Sequence, residues 1–184
     1  NRYSGTGIGL QTAALYAGGF LSGQPAANGT RTEVESYNGS AWTAVSALSQ
    51  RRQGLASSGT QTAALAIAGW ISPSNVTAVT ESWDGSSWTS GTSINTTRFE
   101  SGSCGTQTAA LLYGGNPYPG FSTATEEYDG SSWTTVNSLA TARKQLKGSG
   151  TTTAALAIGG TTGSITGATE EYSLAATTKT FTTS

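Results

Sequence analysis

The residues best suited to chemistry in this chain are an arginine and a glutamate that each come back four times. Arg2, Arg52 and Arg98 stand nine residues ahead of Gln11, Gln61 and Gln107, and Arg143 holds the same place in the last unit. Glu35, Glu81, Glu126 and Glu170 each stand two residues ahead of an aromatic: Tyr37, Trp83, Tyr128 and Tyr172. A guanidinium beside a carboxylate can form a forked ion pair or cap backbone groups. A catalytic or ligand site rarely needs four identical copies, whereas a repeated framework needs four identical struts, so these eight residues read as structural. Glu126–Glu127 and Glu170–Glu171 are paired carboxylates, but neighbours on a strand point to opposite faces and cannot share a substrate. Histidine is absent, which removes the commonest general base, the usual zinc and copper ligand, and every Ser/His or Cys/His nucleophile. The expectation is a protein that is not an enzyme and carries neither metal nor cofactor, with binding indifferent to chelator and to pH between about 6 and 8.

The elements that must position these residues are repeats. QTAAL occurs at 11–15, 61–65 and 107–111 and returns as TTAAL at 152–156, with starts 50, 46 and 45 residues apart. A glycine pair or its near equivalent follows each time: Gly18–Gly19, Ala68–Gly69, Gly114–Gly115 and Gly159–Gly160. After the Glu-x-aromatic come Asn38–Gly39, Asp84–Gly85 and Asp129–Gly130, then Trp42, Trp88 and Trp133. Asn-Gly and Asp-Gly are hairpin signals, because both central residues of a type I′ turn need positive φ. Around them Thr, Val, Tyr and Trp alternate with small polar residues at period 2, as in half-buried strands. Each unit therefore reads as four short antiparallel strands, and such units at a period near 45 are blades of a β-propeller. The fold class is all-β, a single domain of four four-stranded blades over about 2–50, 51–96, 97–141 and 142–184.

The order arginine, strand, apolar run ending in Gly-Gly, Glu-x-Tyr, Asp-Gly and spaced Trp resembles the Kelch repeat across essentially the whole chain. The wording of GTQTAALAIAGW and ATEEYDGSSWTTVNSLATAR is similar to Thr/Ser/Ala-rich Kelch-like arrays in bacteriophage tail or fibre proteins, particularly marine ones. That resemblance implies a virion or extracellular location and a part in host attachment or virion structure. The fourth copy departs from the pattern, since SLAATTKTF follows Tyr172 with no Asp-Gly and with Phe181 in the place of Trp.

Only 10% of residues are charged and the net charge is −1, which leaves no electrostatic footprint for nucleic acid or an anionic membrane. No apolar run is long enough to span a bilayer and no signal peptide is recognisable. Methionine is absent, so the chain reads as a processed product or as part of something larger. The single cysteine, Cys104, rules out an internal disulfide and reads as a small buried filler.

Function is sought in what varies. The segments after the glycine pairs, 20–31, 70–76, 116–122 and 161–167, differ in length and content. They carry Phe20, Trp70, Tyr118 and Phe121 among small polar residues, with Asn116 as a hydrogen-bonding neighbour. Rings beside small polar groups suit a cell-surface glycan or another virion protein as partner, and assembly into a larger oligomer is possible. The alternatives are rings folded over the blade edges and a decoration or spacer that binds nothing. Two geometric expectations follow. The small-residue strands at 5–7, 56–58, 102–104 and 148–150 should surround a narrow axis, with Arg2 and Phe181 in one blade closing the ring. The aromatics Tyr37, Trp42, Trp83, Trp88, Tyr128, Trp133 and Tyr172 should be wedges between blades.

Overall fold

The computed structural model describes residues 1–72, 75–175 and 178–183, without side chains at 26, 27, 174, 175 and 178–183. In chain order, blade 1 holds β1 (Arg2–Tyr3), β2 (Thr6–Leu10), β3 (Ala13–Ala17), β4 (Phe20–Leu21), one helical turn α1 (Ala26–Gly29), β5 (Val34–Tyr37) and β6 (Trp42–Val45). Blade 2 holds β7 (Ala56–Gly59), β8 (Ala64–Ser72), β9 (Asn75–Trp83) and β10 (Trp88–Ser90). Blade 3 holds β11 (Gly102–Gly105), β12 (Ala110–Tyr113), β13 (Thr125–Tyr128) and β14 (Trp133–Val136). Blade 4 holds β15 (Lys147–Gly150), β16 (Ala154–Ile158), β17 (Thr169–Ala175) and β18 (Thr178–Thr183). The four-stranded sheets run β2-β3-β5-β6, β7-β8-β9-β10, β11-β12-β13-β14 and β15-β16-β17-β18, a four-bladed β-propeller arrangement. A two-stranded ribbon, β1-β4, accompanies blade 1.

The hairpin signals place equivalent aromatics across from one another, Tyr37 and Trp42, Trp83 and Trp88, and Tyr128 and Trp133, and the fourth blade sets Tyr172 across from Phe181 without an Asp-Gly turn. In the first three the rings are 5.0, 5.2 and 5.0 Å apart, close enough to add to sheet stability beyond burial. The fourth shows that Phe181 takes the place of Trp on a true outer strand.

Each sheet has a forward face and a rear face, and three junctions are sealed by apolar cores. Ile8, Leu15, Ala17 and Val34 of blade 1 pack on Ala64, Ala66 and Trp83 of blade 2. Leu65, Ile67 and Ile94 pack on Ala110, Leu112, Tyr128 and Trp133, and Leu111, Tyr113 and Leu139 pack on Ala155, Ala157 and Tyr172. Small inner strands let this happen close to the axis: the Ser103 hydroxyl donates to Ser57 O at 2.6 Å, and Ser57 Oγ lies 2.6 Å from Thr6 Oγ.

Two backbone ladders also step from blade to blade. Gly54 N–H donates to Ser4 O, Glu100 N–H to Gly54 O and Gln145 N–H to Glu100 O, each at 2.7 Å. Farther out, Gly19, Gly69 and Gly115 donate to Arg52, Arg98 and Arg143 carbonyls at 2.8, 3.2 and 2.8 Å. The first ladder needs left-handed backbone, so Ser4, Glu100 and Gln145 adopt φ of 55°, 57° and 59° beside Gly54 at 59°.

The small strands β2, β7, β11 and β15 do face the axis, but closure differs from expectation. Arg2 pairs with Leu21 in β1-β4 while Phe181 lies in β18, so no blade is shared between the chain ends. Among the described residues no ladder bond joins Ser4 to Gln145 and no apolar core joins blade 4 to blade 1. All four strands of every blade come from one continuous unit, which is why Arg2 and Phe181 share no blade. Trp42, expected as a wedge, is 51% exposed on the rear face of blade 1.

Candidate functional site

At the sealed junctions Arg52, Arg98 and Arg143 reach Glu81, Glu126 and Glu170 at 2.6, 2.7 and 3.1 Å, with every side chain at most 2% exposed. Guanidinium groups also donate to backbone carbonyls, including those of Val79, Leu112 and Ala168. The glutamates accept N–H groups from the link of the preceding blade: Ser49 at 2.8 Å, Asn95 at 2.6 Å and Ala140 at 2.6 Å. Each strut thus stitches the link of the preceding blade to the second and third strands of its own blade. Burial lowers the Arg52 pKa to about 10 against the opposing pull of Glu81, and lowers that of Arg98 in the same way. Arg2 pairs with Glu35 as well, but these side chains are 14% and 46% exposed. Burial also pushes the Cys104 thiol up to about 11, so it stays protonated at neutral pH and serves as packing.

The variable residues gather on the opposite kind of surface, around the axis. The residue after each arginine pairs with the residue after each glycine pair: Tyr3 with Phe20, Gln53 with Trp70, Phe99 with Asn116 and Lys144 with Thr161. These pairs form a short ribbon above every blade. Trp70 of blade 2 stacks on Phe99 of blade 3, centroids 6.3 Å apart and planes at 30°. The Lys144 ammonium of blade 4 lies 6.0 Å from the Phe99 ring and 3.2 Å from Glu100 Oε2. Glu100 accepts the Gln145 amide at 2.9 Å. Ser4, Gly54, Glu100, Gln145 and Lys147 line an axial cavity of about 430 Å³. A row of aromatic, cation and carboxylate therefore ends at Glu100 on the cavity wall, an arrangement that can stack on a flat apolar face while offering hydrogen bonds beside it.

The candidate residues divide. Trp70 belongs to β8, because the β8–β9 hairpin extends past the sheet, and it is half-buried. Tyr118 is 50% exposed, and Phe121 is exposed on the same loop. Two candidates need correction as surface contacts. Phe20 is 8% exposed, folded against Tyr3 and over the glycine at position 29. Asn116 is 6% exposed, and its side-chain oxygen already accepts the Tyr118 N–H at 2.8 Å, shaping its own loop. The sequence reading passed over Phe99, Glu100 and Lys144. Their signal was available: the positions just after each arginine vary from blade to blade while the arginine does not. Among the described residues no group of three or more His, Cys, Asp or Glu could hold a metal ion.

No family model matches the chain, and no curated protein matches it. Among solved structures, the one titled "Structure of YjhT" superposes with a TM-score of 0.78 at 12% identity, covering 97% of this chain and 68% of that chain. At that identity the likeness establishes the propeller fold and nothing about activity.

Proposed function

We propose that the protein is a non-enzymatic virion or extracellular binding module whose axial face engages a host-surface glycan. The observation that carries this reading is the Trp70–Phe99 stack beside Lys144 and Glu100, the last of which also lines the axial cavity. Sugar faces stack on rings, and sugar hydroxyls need nearby donors and acceptors, both of which this rim offers. Tyr118 and Phe121 extend the apolar surface along the loop that follows Asn116. The Kelch-like wording of the repeat, similar to bacteriophage tail or fibre arrays, supplies the setting, and a neighbouring virion protein is the other partner class such a rim suits. A spacer role without ligand draws support from Phe20 and Asn116, which are used up inside their own loops.

The test is glycan-array binding of the wild type, Trp70→Ala, Tyr118→Ala and, as a core control, Tyr128→Ala. Loss of a stacking ring should weaken binding by about tenfold or more, about 1.4 kcal/mol, with an unchanged melting profile. Tyr128→Ala should lose the fold. Full binding by both rim variants would move the reading to the spacer.

A further inference from the structure

The fourth junction displays two halves of an interface whose complete form appears three times elsewhere in the molecule. On the rear face of blade 1, Ala14, Tyr16, Tyr37 and Trp42 occupy the places that in blade 3 belong to buried Ala110, Leu112, Tyr128 and Trp133. Glu35 has its arginine, yet among the described residues no link N–H reaches it as one reaches each of Glu81, Glu126 and Glu170. On the forward face of blade 4, Ser149, Leu156 and Ile158 occupy the places of Cys104, Leu111 and Tyr113, and Ile158 is exposed where Tyr113 is buried. The axial ladder ends at the Ser4 N–H on one side and the Gln145 carbonyl on the other. A groove bordered by Arg2, Arg31, Glu35 and Ala44 lies where a preceding link would run.

We propose that this open junction is a docking surface for a two-blade stretch of the same repeat type, which completes the ring. Its chemistry is set by the sealed junctions. It must bring aliphatic side chains onto Tyr16 and Trp42, a carbonyl to Ser4 N–H, and a closing turn whose N–H reaches Glu35. In the sealed junctions that N–H comes from the residue after Leu48, Ile94 or Leu139, three positions before the arginine. The size follows from the superposition: four blades cover 68% of the larger propeller, so the rest corresponds to about two units of roughly 45 residues. A second copy of this chain fits less well, because it brings four blades to a gap of about two units.

The experiment joins residues 51–142 of this chain directly ahead of Arg2 with residues 2–184 otherwise unchanged, which puts Leu139 four positions before that arginine. Hydrogen exchange at the Ser4 amide should slow by at least about tenfold relative to the unextended chain, as expected for a newly formed buried bond. Glu35→Gln should leave the unextended chain within about 1 °C and lower the melting temperature of the extended chain by roughly 5 °C or more. Unchanged Ser4 exchange in the extended chain would overturn the proposal. So would a Glu35→Gln shift of the same size in both backgrounds. Concentration-dependent dimerisation of the unextended chain with Ser4 already protected would overturn it in favour of a second copy.

Discussion

Arg98–Glu126 and Arg2–Glu35 are the same two residues at the same place in the repeat, yet the first pair is at most 1% exposed and the second 14% and 46%. What differs is the preceding blade. At the blade 2–blade 3 junction, Asn95 and Thr96 donate N–H groups to Glu126 at 2.6 and 3.2 Å and Leu112 O accepts from Arg98. At blade 1, among the described residues, no such link covers Glu35. Identical chemistry is therefore a buried network in one setting and a surface ion pair in the other. Arg98→Ala should cost about 3–5 kcal/mol, because it strands a buried carboxylate, whereas Arg2→Ala should cost under about 1 kcal/mol. Denaturant unfolding of the two variants measures the gap. Equal losses would show that burial does not decide the worth of this strut.

The inner strands sharpen the same comparison without any charge. Gly7 and Gly148 are equivalent, facing Tyr16 and Ala157 across their sheets. A Cβ on Gly148 would collide with the Tyr113 hydroxyl and the Ser103 carbonyl oxygen of blade 3, while one on Gly7 would meet nothing within 4 Å. Neither has a φ in the left-handed region, so space alone distinguishes them. Gly148→Ala should destabilise by about 1–3 kcal/mol through overpacking, and Gly7→Ala should stay within about 0.5 kcal/mol. Thermal melts of the two variants decide it. A Gly7→Ala loss as large as that of Gly148→Ala would mean that blade 1 is covered after all.

Much of this was legible in the residues because the repeat prints each strand four times. Asn38–Gly39, Asp84–Gly85 and Asp129–Gly130 mark the hairpins, and the alternation beside them fixes which side chains face a neighbouring blade. The open junction was not legible, since a sequence period is the same in a closed ring and in an arc. Only the exposure of Trp42, Glu35 and Ile158 reveals it. The candidate site was half legible. Variation picked out Trp70, Tyr118 and Phe121, but the Trp70–Phe99 stack joins two blades, and no local pattern encodes a contact across a junction. Phe20 misled because an aromatic in a long variable segment looks displayed, whereas this segment folds a helical turn back over the ring.

The smallest effect should come from the hairpin turns, where blade 1 carries Asn38 and Ala41 in the places of an aspartate and a serine in blades 2 and 3. Asp84 Oδ1 accepts the N–H groups of Ser86 and Ser87, each at 2.8 Å, and Asp129 Oδ1 accepts those of Ser131 and Ser132 at 2.8 Å. Asn38 Oδ1 accepts from Ser40 and Ala41 at 3.0 and 2.9 Å in the same geometry. The Ser87 N–H first, then the Ser86 hydroxyl, hold the Asp84 carboxyl well below its ordinary 3.8, and the N–H groups of Ser132 and Ser131 do the same for Asp129. Because the folded pKa lies below the unfolded one, the unfolded chain binds more protons at acid pH. The turns therefore contribute stability that is fully present above about pH 5 and fades as pH falls further. Asn38 cannot titrate, so blade 1 contributes nothing to that slope through its turn. Melting temperatures of wild type and the Asp84→Asn/Asp129→Asn double variant, followed from pH 6 to 2.5, should run parallel above about pH 5 and converge below about pH 4. The turns are exposed, so the gap should be small, and curves that stay parallel throughout would show that the two carboxylates hold their hairpins no better than an amide does.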